Sequence, residues 1–292
     1  MKKIILITGS TDGIGKQVAL DLAEMNHKVI IHGRDFGRCI NSVNEIRSKT
    51  NNNDIDFVVA DLSEKENVYN LIREIKERYD KIDVLINNAG IYNKVRMINK
   101  DNIELTFMVN YLSHFLLTIF LLENLAKSED PRIINVSSIA HENYKPNFAD
   151  LMLKEKYSGY FAYSQSKFAM ILFTYALARR LNESNIKVFA LHPGVISTKL
   201  LHQAFNITGD SLKKGAATPV YLATSDKLKS VKEGYFIDKE KVNSDKKTYD
   251  KALQEEMWKI SCRLLDLKEN EIDRMILEAK HINQKFSLLN KL

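Results

Sequence analysis

Short, uninterrupted apolar runs alternate along the chain with longer stretches in which apolar positions recur every three or four residues. The runs are IILIT (4–8), KVIIH (28–32), DFVVAD (56–61), DVLINNAG (83–90), RIINVSS (132–138), KVFALHPG (187–194) and YFID (235–238). Helical patterns near 14–26, 36–48, 65–79, 101–127 and 162–182 separate them. Strands without polar alternation are buried on both faces, so the pattern predicts a parallel sheet between two helical layers, a doubly wound α/β fold. No repeat, low-complexity tract or Pro/Gly linker marks an internal boundary.

Composition narrows the function classes. A chain of 292 residues, 45% apolar and 27% charged, can bury one large core. Two cysteines, Cys39 and Cys262, supply no disulfide framework and fit a reducing, cytoplasmic setting. Neither CxxC nor HExxH is present, so a metal site is not expected. The longest apolar helix, Phe115 to Leu125, is too short to span a bilayer. A net charge of +6 raises the question of an anionic partner. In the lysine-rich segment 226–251, however, eight lysines are interleaved with six acids, which describes a solvated surface and not a nucleic-acid face.

Candidate chemistry begins after the first strand. TGSTDGIG (8–15) puts Gly9, Gly13 and Gly15 at a strand-to-helix turn, where glycine permits close backbone approach and the helix N-terminus attracts a pyrophosphate. A tight turn alone would also explain the glycines. At the end of the second strand Gly33 stands where an acid would bind both ribose hydroxyls of NAD, and Arg34 follows with a guanidinium suited to the 2′-phosphate of NADP. NADP is therefore expected over NAD, although Asp12 and Asp35 bring negative charge nearby. Asp61 can accept from an adenine amino group or cap the helix starting near Ser63.

Tyr163 and Lys167 stand four apart in YSQSK on a helical pattern, hence on one face. Lowering a phenol from about 10 by three units requires roughly 4 kcal/mol. An ammonium about 4 Å away at an effective dielectric of 20 supplies about that amount. A second YxxxK at Tyr235 and Lys239 lies on a strand pattern, where residues four apart are some 13 Å distant. Ser138 ends the fifth run at the carboxyl edge, placed to donate to a substrate oxygen. Ser137 points the other way. Asn110, inside a helical pattern, can hold a water that links Lys167 to solvent or bond a nearby carbonyl.

With these residues assembled, the chain resembles the short-chain dehydrogenase/reductase family over about residues 3–267. The glycine loop, the NNAG of Asn87–Gly90, the tetrad Asn110, Ser138, Tyr163 and Lys167, and HPGVIST carry the resemblance. It implies a Rossmann-type oxidoreductase that moves a hydride between nicotinamide and a carbonyl or alcohol, and a homodimer or homotetramer. It also implies cofactor contacts. Thr11, Asp12 and Ile14 lie between the glycines; Leu62 follows Asp61; Asn88, Ala89 and Gly90 form the next loop. Pro193, Gly194, Ile196 and Thr198 would hold the carboxamide and phosphates. VNYLSHFLLT, RIINVSSIAH and MWKISCRLLDL resemble the retinol-dehydrogenase-like branch, which includes reductases of apolar aldehydes and ketones. Tyr144, Phe148, Leu151, Tyr157 and Phe161, between Ser138 and Tyr163, either line an apolar pocket or pack. A non-catalytic nucleotide-binding regulator would share the fold, but the complete tetrad favours the enzyme. A serine hydrolase is excluded, because no G-x-S-x-G occurs.

Residues 1–267 form the expected dinucleotide-binding domain and 268–292 a helical tail. Ile272, Met275, Ala279, Ile282, Phe286 and Leu289 recur in steps of three and four, and lysines at 280, 285 and 291 come late, as the helix dipole favours. The stripe is expected to dock on protein: on its own subunit, over the substrate mouth, or, favoured by the heptad spacing, on another subunit.

Overall fold

The computed structural model describes residues 2–205 and 207–289. Strands β1 (Ile4–Ile7), β2 (Lys28–Gly33), β3 (Ile55–Val59), β4 (Val84–Asn87), β5 (Arg132–Val136), β6 (Lys187–His192), β7 (Glu233–Ile237) and β8 (Glu240–Val242) form one sheet in the order 3-2-1-4-5-6-7-8. All neighbours are parallel except β7 and β8. The order reverses between β1 and β4, so the loops after their carboxyl ends open a crevice there.

Successive strand residues feed opposite cores, as the two-residue period requires. Ile5, Ile7, Val29, Ile31, Val84 and Ile86 pack beneath α1 (Gly13–Glu24), α2 (Phe36–Thr50) and α9 (Leu212–Thr224). Leu6, Ile30, Leu85 and Ile133 face the larger core under α3 (Lys65–Arg78), α5 (Ser113–Phe120) and α7 (Gly159–Arg180). Helix α7 is buried almost all round, because the sheet lies on one side and α10 (Lys251–Leu264) on the other.

Four local features depart from the sequence pattern. The helix expected over 101–127 is broken into α4 (Leu105–Phe107), a π turn (Met108–Leu112), α5 and α6 (Leu122–Ala126). Strand β8 follows β7 through Asp238 and Lys239, both with positive φ, the two-residue hairpin geometry that usually signals itself by glycine. Helix α9 was obscured by Gly215 and Pro219, and α8 (Lys199–Phe205) is short. The tail forms α11 (Glu269–Leu289), and it docks on its own chain against α5 and α6. Ile272, Met275, Ala279 and Ile282 of the expected stripe pack on the core, joined by the buried Ile276 and Asn283, while Phe286 is exposed. Asn283 accepts from the Asn185 backbone at 2.6 Å and donates to the carbonyl of Ala126. The expectation of intersubunit docking or a lid over the mouth is thereby corrected; the Leu289 side chain and Lys291 lie outside the described residues.

At the amino edge, Asp130 receives Lys3 (2.9 Å), Arg132 (2.6 Å) and Lys187 (2.6 Å), joining β1, β5 and β6. Three cations hold its carboxyl far below the usual carboxylate range, against the effect of burial. The Arg132 side chain is fully buried and also donates to the carbonyls of Leu222 and Ser225. Replacing Asp130 by Ala leaves buried cations uncompensated. We expect a loss of about 3–5 kcal/mol in urea unfolding; a loss below 1 kcal/mol would refute this role for the cluster.

Candidate active site

The crevice is floored by the turn after β1. Gly9 has φ +61°, and a Cβ there would stand 2.7 Å from the Ala89 Cα, so this turn and the loop after β4 touch backbone to backbone. Thr8 fastens them: its hydroxyl oxygen accepts from the N–H groups of Asn88 (2.8 Å) and Ala89 (2.9 Å). The Asn88 side chain donates in return to the carbonyls of Thr8 and Gly9. Asn88 and Ala89 thus shape the turn itself. Asp12 caps α1 by accepting from the Gly13 N–H, and the helix start, as in any α-helix, offers backbone N–H groups that have no partner within the helix.

The negative charge of Asp12 is compensated. Arg38 (3.1 Å) and Lys199 (2.6 Å) both pair with it, and the Lys199 bond is the main cause holding its carboxyl below the usual range. Position 33 cannot carry an acid without rearrangement, because a Cβ there would meet Thr11 Cγ2 at 2.6 Å. Arg34 is exposed and has no ion pair among the described residues, while Asp35 is occupied as the cap of α2. Asp61 accepts from the Ser63 N–H, and Leu62 is buried behind it; α3 begins only at Lys65, with Glu64 as its cap residue. On the far wall, Gly194 has φ +96°, Ile196 is buried, and Thr198 accepts from the Leu201 N–H. Thr198 lies 3.6 Å from the Cβ position of Gly13, which closes the ring of segments from Pro193 to Thr198 around the glycine turn. The backbone donors at the helix start fit a dinucleotide phosphate.

Beside this groove stand the other predicted residues. Ser138 lies two residues beyond β5, caps a 3-10 turn (Ile139–Asn143), and lies within hydrogen-bonding reach of the Tyr163 hydroxyl. Tyr163 and Lys167 share the first turns of α7, the ammonium 5.5 Å from the ring centroid of the tyrosine. Gly90 is close as well, its Cβ position 3.7 Å from Lys167 Nζ. Asn110 lies in the π turn and is fully buried; its amide accepts from the Ile91 N–H (2.7 Å) and donates to the Ile91 carbonyl (3.0 Å) and to Ser166 (3.1 Å). Both amide protons are engaged, so the backbone-bonding alternative is realised. Ser137 donates to the Lys167 carbonyl, a packing role.

Burial is the largest influence on both ionisable groups of the pair. Burial pushes the Tyr163 phenol up to about 12, opposed by the Ser138 hydrogen bond. Burial pushes the Lys167 ammonium down to about 8. Lys167 donates to the Val136 carbonyl at 2.8 Å and faces the tyrosine ring, so its charge does not overcome desolvation at the hydroxyl. Tyr144 and Leu151 are buried and Phe148 and Phe161 pack on the core, while the Tyr157 hydroxyl donates to the Asn93 carbonyl; packing accounts for the loop's apolar residues. Val95, Ile139, Tyr160, Val195 and Ile207 are exposed, and of these Ile139 and Val195 adjoin Ser138 and Gly194 in sequence.

Sequence reasoning missed two buried histidines that brace this edge. His114 faces the Asn110 carbonyl with Nδ1 and the Thr8 hydroxyl with Nε2 (2.9 Å). A carbonyl cannot donate, so Nδ1 carries the proton and Nε2 accepts. His32 accepts from the Gly9 N–H through Nδ1 and donates to the Ala60 carbonyl through Nε2. Their only sequence signal was a polar residue within an apolar pattern.

The family described as short chain dehydrogenase matches residues 3–207. Retinol dehydrogenase 12 of Mus musculus is 34% identical over 275 residues, spanning 91% of this chain and 87% of that protein. Human retinol dehydrogenase 13 is 35% identical, spanning 91% and 85%. Human polyprenol dehydrogenase is 33% identical, spanning 90% and 84%. Among solved structures, an uncharacterised protein from Mycobacterium paratuberculosis superposes with a TM-score of 0.75 at 28% identity, covering 91% of this chain and 94% of that one. A short chain dehydrogenase of Escherichia coli CFT073, complexed with NADPH, shares the fold with a TM-score of 0.65 at 24% identity, covering 82% and 97%.

Burial holds His32 near 4 and His114 near 3, against about 6.5 in an unfolded chain. Below about 6.5 the unfolded state binds more protons, so stability rises with pH through this window. We expect the unfolding free energy to be complete above pH 6.5 and to fall steadily from there to about pH 4. Unfolding titrated against pH tests this, and a flat profile from 6.5 to 4.5 would contradict it.

Proposed function

Because the chain belongs to the short-chain dehydrogenase family, we propose that it is an NADP-dependent oxidoreductase acting on an apolar aldehyde, ketone or the corresponding alcohol. The carrying observation is the meeting of Ser138, Tyr163 and Lys167 at the carboxyl edge, next to the glycine turn. The bound cofactor supplies or accepts the hydride. Ser138 and Tyr163 together hold the substrate oxygen, Ser138 as a donor to the developing oxyanion. The phenol, pushed up to about 12, is protonated at neutral pH, and gives its proton to that oxygen as charge develops. Lys167, near 8 and largely charged at pH 7, keeps a positive charge beside the phenol. Asn110 contributes by fixing Ile91 and the β4 loop.

NADP is favoured by Arg34, by the neutralised Asp12 and by the crowding at Gly33. An apolar substrate is favoured by the exposed Ile139 and Val195, next in sequence to Ser138 and Gly194, and by the names of the relatives. Among the described residues no helix is long and apolar enough to cross a membrane.

Two measurements test this reading. In NADPH oxidation with a panel of apolar carbonyl compounds, Tyr163→Phe should lose about 10²–10⁴-fold in turnover while binding NADPH normally. Tyr235→Phe, buried on β7, serves as the control and should stay active. A Tyr163→Phe variant with more than about a tenth of the wild-type rate would remove Tyr163 from its role. Arg34→Ala should weaken NADPH binding by tenfold or more, the worth of about 1.5–3 kcal/mol for a charge-assisted bond, and leave NADH binding unchanged. Equal losses for both cofactors would reverse the assignment.

A further inference from the structure

The loop that carries Ser138 is held from a part of the chain far outside the family match. His141 closes the 3-10 turn and places Nδ1 2.7 Å from the Ser138 carbonyl, which also accepts the His141 backbone N–H at 3.1 Å. Its Nε2 accepts from the backbone N–H of Asp245 at 3.1 Å. The partners fix the tautomer: a carbonyl needs a donor and an amide needs an acceptor, so the ring is neutral with its proton on Nδ1. The ring is buried, edge-on to Tyr235 with centroids 5.2 Å apart. Burial holds the imidazole below its ordinary value against the nearby carboxylates of Glu142 and Asp245, and Lys247 acts in the same direction as burial.

The anchor is rigid. Asp245 caps a 3-10 turn (Lys246–Tyr249) through the Lys247 N–H, and Thr248 returns two bonds to the Asp245 carbonyl. Lys247 ties the same turn to the Tyr144 carbonyl at 3.0 Å. The Ser138 side chain, by contrast, caps only Ala140 at 3.2 Å and must keep its hydroxyl aimed at the Tyr163 oxygen. We propose that His141 is the positioning residue of Ser138, coupling the turn at 244–249 to the oxyanion donor. The inference rests on the oxidoreductase reading for its kinetic arm only.

Three substitutions separate the two ends of the ring. His141→Asn retains a donor at the Nδ1 position, His141→Gln an acceptor near the Nε2 position, and His141→Ala neither. For NADPH-linked carbonyl reduction, His141→Ala should lose kcat by on the order of ten- to a hundredfold, as expected for a displaced catalytic group, with the NADPH dissociation constant unchanged. His141→Asn should recover most of kcat and His141→Gln little of it. Equal losses in all three variants, tracking their melting temperatures, would reduce His141 to a packing residue and overturn the proposal. So would wild-type kcat in His141→Ala. Nitrogen-15 spectra of the wild-type imidazoles give an arm that needs no substrate: His141 should appear as the neutral Nδ1–H form, and an Nε2–H form overturns the proposal outright. Absence of any carbonyl reduction abolished by Tyr163→Phe would instead sink the oxidoreductase reading, leaving the spectral arm to decide on His141.

Discussion

The catalytic edge depends on one buried hydroxyl, that of Thr8. It accepts two backbone N–H groups from the β4 loop and gives its own proton to His114, which in turn holds the π turn through the Asn110 carbonyl. Each bond contributes only about 1 kcal/mol net, but deleting the hydroxyl would leave several buried groups unpaired, each costing about 1–3 kcal/mol. The glycine turn, the Asn88–Gly90 loop and Asn110 are therefore set relative to one another before any ligand arrives. The π turn is a consequence of the same network. Asn110 must reach both polar groups of Ile91, and the wider turn lets it do so within an otherwise helical segment.

Burial, more than pairwise charge, decides protonation in the crevice. A Coulomb estimate from sequence spacing predicts a phenol pulled down by its lysine. The folded chain instead desolvates both groups, raising Tyr163 to about 12 and lowering Lys167 to about 8. The shifts bring the two values further apart in the sense that keeps the phenol protonated, which suits proton donation in the reductive direction.

Much of the architecture was legible because strands buried on both faces leave apolar runs that no surface requirement interrupts, as in IILIT and KVFALH. The site was legible for a different reason: glycine turns and the Tyr163–Lys167 spacing impose local geometry that short motifs record. What stayed hidden depends on partners distant in sequence. His114 meets Thr8 across 106 positions and His141 meets Asp245 across 104, and neither contact has a local signature. Helix α11 was foreseen as amphipathic, yet the burying of Asn283 rather than Phe286 follows from the Asn185 N–H it satisfies, a tertiary fact.

The two edges of the sheet are stabilised by different chemistry. At the amino edge, far from the crevice, Asp130 gathers three full charges. At the carboxyl edge, three imidazoles join successive segments, each accepting a proton donor with one nitrogen and donating to a carbonyl with the other: His32, His114 and His141. A neutral ring bridges two loops without adding charge. That restriction has a physical reason in a site proposed to receive an anionic phosphate chain and a transient oxyanion, because a fixed carboxylate would repel both and an unpaired cation would compete with the hydroxyls of Ser138 and Tyr163 for the substrate oxygen. Asp12 fits the rule as its compensated exception, its charge answered by Arg38 and Lys199. Burial holds His32 near 4 and His114 near 3 and keeps His141 below its ordinary value, which favours the neutral ring in all three.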